Sequence, residues 1–100
     1  MADKEVPVSV LILGGNERME RNYKDLCKEY NCRAKVFTKT TGGMKNKIGS
    51  PDLCILFTGA LSHKMLQSAE KQMKGSGTII ARCPTSSMDA LRNVLEVYTR

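Results

Sequence analysis

Apolar residues fall along this chain in two rhythms, and the switching between them predicts the elements. Val6 to Leu13 is a β-branched and leucine-rich run without clean alternation, the pattern of a strand covered on both faces. From Glu17 to Tyr30 the spacing becomes helical, with Met19, Tyr23, Leu26, Cys27 and Tyr30 separated by charged residues. Cys32 to Thr38 sets Arg33, Lys35 and Thr38 against Ala34, Val36 and Phe37, which predicts a more polar strand suited to a sheet edge. Lys39 to Pro51 holds Gly42, Gly43, Gly49 and Pro51 and leaves room only for a short helical turn around Met44 to Ile48. Asp52 to Thr58 is again continuously apolar, so it predicts a second strand buried on both sides. Ser62 to Lys74 follows as a helix through Met65, Leu66, Ala69 and Met73, ended by Gly75-Ser76-Gly77. Thr78 to Cys83 predicts a fourth strand, which Pro84 breaks. Ser86 or Ser87 then caps a last helix with Met88, Leu91, Leu95 and Tyr98 as its core stripe, and Ala90, Val94 and Val97 beside it.

Strands alternating with helices are most economically laid out by right-handed crossovers as a parallel sheet in the order 2-1-3-4. The expected fold class is therefore α/β: a three-layer, Rossmann-like or flavodoxin-like half, with four parallel strands and helices on both faces. Residues 6–100 are expected to form a single domain behind a frayed tail, Met1 to Glu5. The second apolar stripe of the last helix is wider than one sheet face needs, which marks it as the candidate surface for a homodimer.

All four predicted strands run into small polar clusters. In parallel α/β sheets ligands bind beyond the carboxyl ends of the strands, so these clusters predict one shared site. Gly14-Gly15 lets the chain turn tightly and lets an anion approach backbone amides; Asn16 is a natural N-cap, and Arg18 is placed to clamp an anion. Gly59 follows the third strand. Ser62 suits an N-cap, and His63, the one histidine, starts a helix there, able to donate to a ligand or bind a metal. Thr85, Ser86 and Ser87 offer hydroxyls and amides at the start of the last helix. Thr38 to Gly43 is read as a solvated loop on the same rim. The chain has neither a complete G-x-G-x-x-G fingerprint nor a Walker motif, and Cys83 lacks the C-x-x-x-x-x-R spacing of a phosphatase loop, so Cys83 is read as a packing residue. No acidic cluster or zinc-type spacing marks a metal site.

A formal charge of +6 favours anionic partners, whether phosphates, nucleotides, nucleic acid or acidic protein surfaces. The cations are scattered and only 5% of residues are aromatic, which favours a small anion or nucleotide over dedicated nucleic-acid recognition. No apolar run approaches the roughly 20 residues of a membrane helix, and Val6 to Leu13 runs into glycines as a strand rather than a signal core. Four cysteines without a C-x-x-C pair are read as reduced thiols, so the expected location is cytoplasmic, with no membrane association.

Taken together, Val10 to Gly15, Gly42-Gly43, Pro51-Asp52, Ser62-His63 and Ser86-Ser87 resemble a bacterial family, domain of unknown function 2325, over nearly the whole chain. The chain looks like a short stand-alone member. The resemblance implies a Rossmann-like domain and brings no established activity. Thr38-Lys39-Thr40 stands where longer relatives are expected to carry a histidine, which weakens readings that need two. The leading expectation is a binding or regulatory module for a small anionic ligand, and whether it is an enzyme stays open. One alternative is a phosphocarrier similar in size and strand order to the B subunits of phosphotransfer sugar transport. Those place a nucleophilic cysteine after the first strand, where this chain has glycine, leaving His63 or Cys83 as phosphoacceptor. The others are a haem or metal-binding module using His63 and a protein-interaction module.

Overall fold

The two rhythms are realised as strands and helices in strict alternation. In the computed structural model, which describes residues 8–38, 51–73, 75 and 77–99, the order is β1 (Val8–Leu13), α1 (Glu20–Glu29), β2 (Cys32–Phe37), β3 (Leu53–Phe57), α2 (His63–Met73), β4 (Ile79–Cys83) and α3 (Met88–Thr99). The strands form a four-stranded sheet in the order β2-β1-β3-β4, and all three pairings are parallel. The tail Met1 to Glu5 and the turn expected around Met44 to Ile48 lie outside the described residues.

The continuous apolar runs are the two central strands, because each must satisfy two layers at once. Val10, Ile12, Leu53, Ile55 and Phe57 pack with Tyr23, Leu26 and Cys27 of α1 and with Leu91 and Leu95 of α3. The alternate residues Leu11, Leu13, Cys54 and Leu56 pack with Met65, Ala69 and Met73 of α2. Two helices on one face and one on the other make a three-layer α/β fold. Each large side chain buried in these layers contributes about 1.5–3 kcal/mol relative to exposure, which is what holds helices of this length in place.

Asp52 secures the amino end of the sheet. Its amide donates to the Ser9 carbonyl at 2.9 Å, its carboxylate accepts from the Ser9 amide at 3.0 Å, and its carbonyl accepts from the Ile79 amide at 3.0 Å. One residue thereby ties β1, β3 and β4. Thr78 Oγ1 adds a bond to the Pro51 carbonyl at 2.7 Å. The Pro51-Asp52 pair thus works in the sheet, at the end opposite the polar clusters.

Two elements depart from the pattern. Tyr98 belongs to the predicted core stripe but is 45% exposed. The inward row of α3 advances in steps of four, Leu91, Leu95, Thr99, and the Thr99 hydroxyl, which donates to the Leu95 carbonyl at 2.6 Å, takes the place expected for Tyr98. The helix expected from Glu17 opens instead as a 3-10 turn, Glu17–Met19, whose first amides are held by Asn16. Asn31 ends α1 in the left-handed region at φ 59°, as an asparagine can without the cost other side chains meet.

Candidate functional site

Three of the four predicted clusters come together in one rim at the carboxyl end of the sheet, held by close approaches at their glycines and by one buried phenol. Gly14 and Gly15 both have positive φ, 91° and 93°. A Cβ on Gly14 would lie 3.0 Å from Leu61 Cγ and 3.1 Å from the Phe57 carbonyl oxygen, and one on Gly15 would lie 3.0 Å from Tyr23 Cε2. The double glycine therefore makes room for Leu61, Tyr23 and Phe57 in the crevice between β1 and β3. On the other side, a Cβ on Gly59 would lie 2.4 Å from the Pro84 carbonyl oxygen, so the loops after β3 and β4 touch through bare backbone.

Tyr23 links the loops from beneath. It is fully buried, its ring centroid lies 5.4 Å from that of Phe57, and its phenol donates to the Ser86 carbonyl at 2.7 Å. The same oxygen accepts from the Asn16 amide at 3.4 Å. One hydroxyl thus joins the β1–α1 loop to the β4–α3 loop. Sequence periodicity marks Tyr23 only as a core position; its signal was a phenol in a buried row, which must find a polar partner. Leu61 and the Pro84 carbonyl leave no comparable trace in the sequence.

The polar side chains of the rim divide by what they already do. Asn16 Oδ1 accepts from the Arg18 amide at 2.9 Å, Ser62 Oγ from the Met65 amide at 3.2 Å, and Ser87 Oγ from the Ala90 amide at 3.2 Å. These are N-caps, and Ser87 rather than Ser86 caps α3. Thr85 Oγ1 lies 3.4 Å from Ser87 Oγ. Arg18, His63 and Lys64 are exposed, and none of the three side chains has an ion-pair partner among the described residues. Thr38 sits half-buried just past β2, while residues 39–43 lie outside the described residues.

The helix starts differ in charge. Glu17 lies in the turn after β1, Glu20 begins α1 and Asp89 lies in the first turn of α3, whereas the first turn of α2 carries no acidic residue. With Met65 bonded to the Ser62 side chain and Leu66 to its carbonyl at 3.0 Å, the amides of His63 and Lys64 remain at the tip of α2 without an intrahelical acceptor. Partial positive charge at that tip is left for an external acceptor.

The thiols are set apart from this surface. Cys27, Cys32, Cys54 and Cys83 are all free and buried, Cys83 within the core under the rim. Burial pushes the Cys27 and Cys54 thiols up to about 12, with smaller contributions from Cys32 and Glu70 respectively, and burial likewise raises Cys32. Thiols so held stay protonated and unreactive at neutral pH. Among the described residues no three His, Cys, Asp or Glu side chains group as metal ligands, and no helix is long and apolar enough to cross a membrane.

Compared with known families, residues 9–98 match the model of domain of unknown function 2325, described as an uncharacterised protein conserved in bacteria. The chain belongs to that family. No curated protein and no solved structure matches it. Within this member of the family, Gly14-Gly15 and Ser62-His63 lie at the rim, whereas Asp52 lies at the far end of the sheet and serves its architecture.

Proposed function

We propose that this family member is a cytoplasmic binding or regulatory module that holds a small anion, such as phosphate or the phosphate of a nucleotide, on the rim centred at the start of α2. The observation that carries the reading is the tip of α2: two amides without an intrahelical acceptor, beside exposed His63 and Lys64, with no carboxylate in the first turn. Gly14, Gly15, Asn16 and Arg18 flank it from β1. Gly59 and Ser62 shape its base, and Thr85, Ser86 and Ser87 border it from β4. Because Leu61, Tyr23 and Phe57 fill the crevice between β1 and β3, the ligand sits on the rim rather than in a deep cleft. Compact anions fit that shape better than a buried dinucleotide.

Native mass spectrometry of freshly purified protein tests this reading. A co-purifying phosphate or phosphate ester that is lost from His63→Ala supports it; the same adduct retained by the variant and by Lys64→Glu overturns it. The phosphoacceptor alternative now rests on His63 alone, since Cys83 is buried.

A second reading concerns assembly. Val97 and Tyr98, 71% and 45% exposed, lie at the end of α3, and Ile79, 48% exposed, lies on β4 beneath that helix layer. These apolar residues favour a homodimer through α3. Sedimentation measured on the wild type and on Val97→Glu distinguishes the cases: a dimer that the substitution dissociates supports the reading, and a wild-type monomer removes it.

A further inference from the structure

The outer edge of β2 offers a second surface, independent of the rim. Among the described residues β2 pairs only with β1. The Phe37 carbonyl accepts from the Gly14 amide at 2.9 Å, which turns the backbone polar groups of Phe37 toward β1. Such groups alternate along a strand, so those of Lys35 and Arg33 also face β1, while the amides and carbonyls of Ala34 and Val36 face outward.

The side chains alternate in the other direction. Ala34 and Val36 pack into the layer of α1, leaving Arg33 and Lys35 exposed on the opposite face, two residues apart and about 7 Å along the strand. Neither cation has an ion-pair partner among the described residues. The other edge contrasts with this one, since Arg82 on β4 is already paired with Glu70. The bias extends along the sequence: five lysines and arginines, and no aspartate or glutamate, fall between residues 30 and 51.

We infer that the outer edge of β2 docks an extended acidic peptide by strand addition, with its backbone pairing to Ala34 and Val36 and its carboxylates at alternate positions meeting Arg33 and Lys35. Residues directly opposite on neighbouring strands bring their Cβ atoms to about 4.5–5.5 Å, close enough for each carboxylate to reach its cation. The same two cations repel a second copy of this basic chain, so the edge excludes self-pairing while admitting an acidic strand. A peptide suits the surface better than a nucleic acid. The outward-facing amides and carbonyls of Ala34 and Val36, unpaired among the described residues, match a peptide backbone, and the one aromatic ring on β2, Phe37, is half-buried in the α2 layer rather than offered for base stacking.

Fluorescence anisotropy with a labelled Glu-Val-Glu-Val-Glu peptide tests the inference on the full chain. The peptide should bind, its all-lysine counterpart should not, and Arg33→Glu with Lys35→Glu should weaken it about tenfold or more. Methylating alternate backbone nitrogens of the peptide should weaken it by a similar factor. If the double reversal fails to fold by circular dichroism, Arg33→Gln with Lys35→Gln provides the same comparison with a loss of at least about threefold. Absence of binding up to about 1 mM overturns the inference, as does binding indifferent to N-methylation. Tighter binding of an oligothymidine strand through the same two residues overturns it in favour of a nucleic-acid surface.

Discussion

Replacing Tyr23 with phenylalanine removes one oxygen and keeps the ring. The ring contact with Phe57 and the packing against Gly15 stay, so no cavity larger than a hydroxyl is created. What is lost is the bond donated to the Ser86 carbonyl at 2.7 Å and the longer one accepted from the Asn16 amide at 3.4 Å. The Asn16 bond is long, at 3.4 Å, and only part-buried, so it counts for less. The Ser86 carbonyl is half-buried and keeps only partial access to a new donor. One net hydrogen bond plus part of a desolvation penalty gives about 1–2 kcal/mol. For a chain of this length that lowers Tm by about 5–15 °C. Urea denaturation should show the loss as a lower midpoint at unchanged slope, and amide shifts should cluster at residues 14–18 and 84–87. By contrast, Tyr23→Ala should cost about 3–5 kcal/mol, because it empties the core beneath the rim. A phenylalanine variant as stable as wild type, or shifts confined to one of the two loops, would refute the claim that this phenol joins them.

Three further outcomes follow from the same geometry. Gly59→Ala should cost about 1–3 kcal/mol in urea denaturation, because its Cβ would lie 2.4 Å from the Pro84 carbonyl; an unchanged midpoint would mean that the two loops do not touch. Asp52→Ala should cost about 0.5–1.5 kcal/mol, since the exposed start of β1 exchanges the carboxylate acceptor of the Ser9 amide for water, and should leave amide shifts at the rim unmoved; shifts at Ser62 or His63 would contradict its placement at the far end. Stability should fall as pH rises above about 9, where the unfolded thiols ionise while buried Cys27 and Cys54 hold their protons up to about 12. Each thiol contributes about 1.4 kcal/mol per pH unit in that window, so Cys27→Ala and Cys54→Ala should each flatten the alkaline limb; a limb unchanged in both would place the thiols in contact with water.

The sheet was legible because both central strands needed cover on two faces and the helices on one, which leaves separate periods in the sequence. The caps were legible for a local reason: Asn16, Ser62 and Ser87 each serve amides two or three residues away. Tyr98 was misplaced because a stripe drawn at steps of three and four does not say which step the last turn takes, and Thr99, polar yet able to bond its own helix, took the inward position. The closure of the rim was hidden. Leu61 against Gly14, Gly59 against Pro84 and Tyr23 against Ser86 join residues that are distant along the chain, and the glycines alone are equally consistent with an open phosphate loop. Asp52 shows the converse: the residue that opens the third strand serves the sheet, and it lies at the far end from the rim.

The central claim is that the start of α2 accepts an anion, and backbone amide shifts followed during titration with inorganic phosphate at constant ionic strength test it most directly. The account predicts saturable shifts at His63 and Lys64, smaller ones at Gly15, Asn16 and Thr85, and loss of saturation in Lys64→Glu. Shifts spread evenly over the exposed lysines and arginines, or saturable shifts centred at the start of α3 instead, would contradict it.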